Sequence, residues 1–182
     1  MIMARFLLII TAITIYSCNT SDISISSKSL IPLLENRKWE YKYEKSDSSL
    51  IVEITKIVKE PGKITAVFNS FPYFGDFGVS VSEKTDGSFV LNEQDFMFIP
   101  PTENINTGYK WESAEWKGTI VNDNENVYVS NKTFKDCIHI RYSLSITFSA
   151  EMWVKKGEGI VKWSFIRTNP PSPEFGYFLL NE

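Results

Sequence analysis

From Cys137 to Ser149 the chain alternates without a break. Ile138, Ile140, Tyr142, Leu144, Ile146 and Phe148 are apolar, and Cys137, His139, Arg141, Ser143, Ser145, Thr147 and Ser149 fill the places between. A period of two puts one set of side chains on a core and the other on a wetter face of a β-strand. Twelve such residues would span about 40 Å, well beyond the usual five or six, which suits a strongly curved sheet or a barrel-like wall.

The same period recurs upstream. Trp39, Tyr41 and Tyr43 alternate with Lys38, Glu40, Lys42 and Glu44, and Leu50, Val52 and Ile54 follow a Ser46-Asp47-Ser48-Ser49 turn. Pro61-Gly62-Lys63 leads into Ile64–Phe68, and Asp86-Gly87 separates Val79–Glu83 from Phe89–Leu91. Asn122–Asn126 reads as a polar hairpin turn between Thr119–Val121 and Val127–Val129, and Gly157-Glu158-Gly159 joins Met152–Val154 to Ile160–Ile166. Leu30–Leu34 is a short apolar segment read as one helical turn packed on the domain. No stretch of ten or more residues carries a helical period, and aromatic residues reach 14% of the chain, a composition that favours sheet. The predicted fold class is all-β: a curved antiparallel sheet, mostly meander, as a half-barrel or a sandwich, with little helix outside a signal peptide.

The N-terminus predicts export. Arg5 precedes an uncharged run from Phe6 to Tyr16, then Ser17-Cys18. Eleven helical residues rise about 16 Å, roughly half a hydrocarbon core, so the run reads as a leader and not as a span. Ile15-Tyr16-Ser17-Cys18 resembles the lipobox of bacterial lipoproteins. The resemblance implies cleavage before Cys18, lipidation there with diacylglyceryl and palmitate-type chains, and attachment to a membrane; two or more chains make a durable anchor. Asn19 is not the aspartate that retains lipoproteins in the inner membrane of enteric bacteria, so the outer membrane is favoured over the inner. The organisation expected is a signal peptide over 1–17, a lipidated cysteine with a serine-rich flexible tether over 18–29, and one β-rich domain over 30–182.

Without residues 1–17 the basic residues fall from 19 to 18 against 22 acidic ones, with no block of like charge; nucleic acid is not expected as a partner. Lipidation of Cys18 leaves Cys137 without a disulfide partner, and burial is its expected state. His139, the one histidine, lies about 7 Å from Cys137 along the strand, too far for direct proton transfer. Asp123 and Glu125 sit among asparagines in a pattern that is not a calcium loop, and Glu112 and Glu115 would point to opposite faces of a strand. No catalytic residue, metal site or cofactor is expected, and the domain is read as non-enzymatic.

Three phrases resemble a loose group of exported bacterial lipoproteins of unknown function, the DUF3108-type domains and the LolA–LolB-like curved-sheet carriers. They are Pro100-Pro101 with Gly108–Glu112, Thr133–Ile140, and Trp153–Trp163. The resemblance covers about the last 85 residues and implies architecture, although this chain lacks the long helix pair that plugs the LolA half-barrel. The stretch most suggestive of binding is Phe68–Phe77, with five aromatic rings in ten residues. Phe71, Tyr73, Phe74 and Phe77 are read as an aromatic lip holding an apolar ligand such as a lipid, or an envelope protein partner. The alternative is a structural or assembly lipoprotein whose rings fill a core and leave no pocket.

Overall fold

The structure, a computed structural model, describes residues 29–71, 78–145, 148–168 and 171–181. The leader, Cys18 and the tether up to residue 28 lie outside the described residues, as do Tyr73, Phe74 and Phe77.

Among the described residues twelve strands follow one another: β1 (Lys38–Tyr43), β2 (Ser49–Glu60), β3 (Lys63–Phe68), β4 (Val79–Lys84), β5 (Phe89–Leu91), β6 (Phe96–Ile99), β7 (Lys110–Ser113), β8 (Trp116–Val129), β9 (Lys132–Ser145), β10 (Phe148–Lys155), β11 (Gly159–Thr168) and β12 (Pro171–Asn181). All pairings are antiparallel, and the order is β6-β5-β4-β3-β2-β1-β12-β11-β10-β9-β8-β7. Long β2 serves two sheets. Its first half pairs with β1 in a curled half-barrel with β7 to β12, and its second half pairs with β3 in a smaller sheet with β4 to β6. The expected all-β curved meander is what forms.

Three local expectations are corrected. The alternating run is not one strand: β9 ends at Ser145 and Phe148 already belongs to β10, where it pairs with Ser145. Alternation continues across the hairpin because both arms present the same face to the same core, and the sequence cannot show the reversal. Asn122–Asn126 is not a turn. β8 runs through it, with register shifts after Ile120, after Asn122 and after Glu125. Such bulges absorb extra residues without ending a strand, and the actual reversal comes at Ser130-Asn131. Leu30–Leu34 forms a bend and no helical turn, although Leu30, Ile31 and Leu33 are buried. Pro32 carries no N–H for a helical bond.

The two edges of the order, β6 and β7, meet without a ladder among the described residues. Side chains close this seam. Trp111 Nε1 donates to Met97 O at 2.9 Å, Met97 N donates to Ser113 Oγ at 2.7 Å, and Ser113 Oγ donates to Asp95 O at 3.3 Å. The edge of β6 is thereby satisfied and withheld from other chains. In the tight turn between β7 and β8, Ala114 has φ +52°, a conformation costing an L-residue about 1–2 kcal/mol. Ala114→Gly is therefore expected to stabilise the domain by about 1 kcal/mol, less the chain entropy glycine adds to the unfolded state, and urea titration would show the midpoint rise.

Candidate functional site

Inward positions of both sheets converge on a continuous aromatic core. Tyr142 on β9 stacks on Trp163 at 5.8 Å and meets the edges of Phe96 at 5.6 Å and Trp111 at 6.2 Å. Its hydroxyl donates to Phe98 O, so one side chain ties the half-barrel to the smaller sheet. Full burial pushes the Tyr142 phenol well above its ordinary range, because a phenolate there would lose its hydration. Trp39 stacks on Phe68 at 6.2 Å and donates Nε1 to Glu158 O at 2.8 Å, while Tyr41 donates to Ile160 O at 2.8 Å. Tyr142, Trp39 and Tyr41 thus carry satisfied polar ends, which burial of such groups requires.

Phe71 belongs to this core. It is 4% exposed and meets Phe68 at 5.4 Å and Phe98 at 6.0 Å, edge to face in both cases. The cavity it lines with Ile31, Trp39, Tyr41, Phe68 and Ile160 has room for about one water molecule. Among the described residues, therefore, these rings pack on one another and leave no space for an acyl chain at this point.

The outer face of the half-barrel carries a polar network that the sequence did not disclose. The bulges in β8 bring Glu125 beside β9, where Oε2 lies 2.9 Å from His139 Nδ1, and Oε1 accepts Trp153 Nε1 at 3.0 Å. His139 stacks on Trp153 with centroids 4.3 Å apart, and Lys162 Nζ sits 5.2 Å from the centroid of the Trp153 ring. On the other side His139 Nε2 is 3.5 Å from Glu151 Oε2, a long contact without good hydrogen-bond alignment. Arg141 Nε donates to Glu151 Oε1 at 2.8 Å. His139 and then Arg141 hold the Glu151 carboxyl down at about 2, against a burial that opposes them. The signal available in sequence was the pairing of a lone histidine with Glu125 and Glu151, but neither lies at a spacing that marks contact. Both histidine nitrogens face carboxylates, so this is a brace across β8, β9 and β10. Among the described residues no group of three or more histidine, cysteine or carboxylate side chains could hold a metal ion.

Cys137 is buried, as expected, with Sγ 3.6 Å from Phe134 O. Burial pushes its thiol up to about 11, and thiolate is the nucleophilic form. Maleimide labelling mapped to the Cys137 peptide should accordingly be negligible in the folded protein and complete in denaturant. Rapid native labelling would show that the site opens. Glu112 pairs with Lys117 at 3.2 Å and Glu115 lies in the β7–β8 turn, so they form no carboxylate pair.

No family model matches the chain and no curated protein matches it, so the DUF3108-type and LolA–LolB-like naming finds no support. Solved structures do match. The crystal structure of a candidate exported protein with a YmcC-like fold from Bacteroides fragilis NCTC 9343 aligns with a TM-score of 0.52 at 12% identity, over 82% of this chain and 96% of that one. A candidate lipoprotein from Parabacteroides distasonis ATCC 8503 aligns with a TM-score of 0.45 at 13% identity, over 84% of this chain and 97% of that one. The twelve-stranded meander with its curled half-barrel is therefore similar to the YmcC-like fold.

Proposed function

We propose that this chain is a bacterial envelope lipoprotein, exported by its leader, lipidated at Cys18 and held on a membrane, with a non-enzymatic domain that works through protein contacts in envelope assembly. The observation that carries this reading is the close aromatic packing around Phe71 among the described residues. A lipid carrier needs a lined, empty cavity of several hundred Å³, whereas at this point, among the described residues, Phe71, Phe68, Trp39 and Phe98 pack on one another. The lipobox-like Ile15–Cys18 supports the anchor, and the likeness to a candidate exported protein agrees with an envelope location. Asn19 after the cysteine favours the outer membrane. The non-enzymatic part rests on His139, engaged by carboxylates, and on Cys137, buried and protonated.

Native mass spectrometry after detergent-free purification of residues 19–182 from a periplasm, followed by crosslinking of the lipidated form in cells, tests the proposal. The expected result is a clean protein mass and a reproducible crosslink to an envelope protein. Near-stoichiometric co-purified lipid would overturn the assembly reading in favour of an apolar ligand.

A further inference from the structure

We propose that the corner of the domain around Ser29 is a docking surface for anionic lipid headgroups, which orients the domain on its membrane. This rests on the anchor reading at Cys18.

The point of entry is well defined. Ser29 O accepts Gly157 N at 3.1 Å in the β10–β11 turn, and Ser29 Oγ donates to Glu83 Oε2 at 3.0 Å on β4. Leu30, Ile31 and Leu33 then run into the core, which pins this segment between the two sheets. Ten residues separate Cys18 from Ser29. Fully extended they reach about 35 Å, so this corner is held within that distance of the lipid whatever course they take.

The side chains gathered there are basic. The β8–β9 and β10–β11 hairpins bring together Lys132, Lys135, Lys155 and Lys156 with Asp136 and Glu158, and half-buried Glu83 of β4 is held beside them on Ser29. Lys132 Nζ is 3.6 Å from Glu158 and Lys155 Nζ is 3.7 Å from Asp136. Lys135 and Lys156 are exposed and have no carboxylate partner among the described residues. Four lysines against three carboxylates leave the corner slightly positive in a chain whose formal charge is −3. The meander sends the turns after β1, β5 and β7 to the opposite end of the strands, where exposed Asp47, Glu93, Asp95 and Glu115 outnumber exposed Lys45 and Lys117. An anionic surface attracts the first end and repels the second, with a reach of about 10 Å at ordinary salt. Each lysine near such a surface strengthens binding about fivefold. An uncharged bilayer would leave the orientation unset.

The test uses the lipidated protein itself. Its intact mass is read first, and absence of the diacylglyceryl increment removes the anchor reading and this proposal with it. The protein is then bound to vesicles of phosphatidylcholine alone or of phosphatidylcholine with phosphatidylglycerol. Amine acetylation is followed lysine by lysine by mass spectrometry. On the anionic vesicles Lys132, Lys135 and Lys156 should react about fivefold more slowly than on neutral ones. Lys117, at the far end, should be unchanged, and high salt should abolish the protection. Equal rates on both vesicles for the anchored protein would overturn the docking surface and leave the anchor standing. Loss of the difference in Lys135→Gln/Lys156→Gln would support these two side chains as its source; a difference that survives the substitution would overturn the assignment.

Discussion

Gly118→Ala is expected to lower the melting temperature by about 10 °C, a loss of about 3 kcal/mol. Gly118 lies directly across the β7–β8 pair from Trp111, whose indole covers it. A Cβ at Gly118 would stand 2.3 Å from two carbons of that ring and 2.6 Å from a third, far inside the roughly 3.5–4 Å at which carbon atoms rest. Trp111 has nowhere to retreat. It stacks on Tyr109 at 6.1 Å, meets Tyr142 edge-on, and spends its Nε1–H on Met97 O across the seam. Displacing it opens the joint between the two ends of the sheet and leaves Met97 O short of its donor. Calorimetry on the single variant and on Gly118→Ala in a Trp111→Leu background would separate the causes. In the second background the added methyl should cost little more than Trp111→Leu alone. A loss below about 1 kcal/mol for Gly118→Ala by itself would mean that the indole swings aside freely and that the seam is held by other contacts.

The second large effect is an acid dependence centred on Glu151. Its carboxyl titrates at about 2 in the folded protein, against 4.5 when free of the fold. A depressed folded value means that the unfolded chain takes up the proton first. The contribution is therefore fully present above about pH 4.5 and is lost as pH falls from there through 2. Discounted for screening at Arg141, which is 55% exposed, it amounts to about 2 kcal/mol. Glu151→Gln should weaken folding by about that amount at neutral pH. It should also flatten the stability profile between pH 2 and 4.5. His139→Ala should move the Glu151 titration upward, read directly from the side-chain carboxyl signal by NMR. A Glu151 titration near 4.5 in the native protein would show that the brace is not formed in solution.

Much of the strand inventory was legible because its signals are local. Trp39–Tyr43, Leu50–Ile54, Ile64–Phe68 and Val79–Glu83 alternate within a few residues, and Pro61-Gly62 and Asp86-Gly87 mark turns by their own backbone preferences. The misreadings came where a local signal had two meanings. Asn122–Asn126 has the composition of a turn, yet long β9 offers a continuous partner, and a bulged strand satisfies those backbone groups better than a loop would. β12 escaped notice because Pro171 and Pro173 discourage a strand reading, and prolines can be kept in a sheet only where their missing N–H is not required.

Of the candidate site, Phe71 shows the limit most clearly. Five rings in ten residues announce aromatic surface, but whether a ring lines a cavity or fills one depends on what stands opposite, here Phe68 and Phe98 from β3 and β6. The sequence by itself determined the all-β class, the curvature implied by its long alternating segments, the burial of Cys137 and the expectation of a lipid-bearing Cys18. Tertiary structure alone decided the pairing of β1 with β12, the side-chain seam from Trp111 to Met97, and the carboxylates flanking His139. Alternation and turn chemistry act between neighbours along the chain. These other features join residues brought together only when the sheet curls, at separations where no local preference acts.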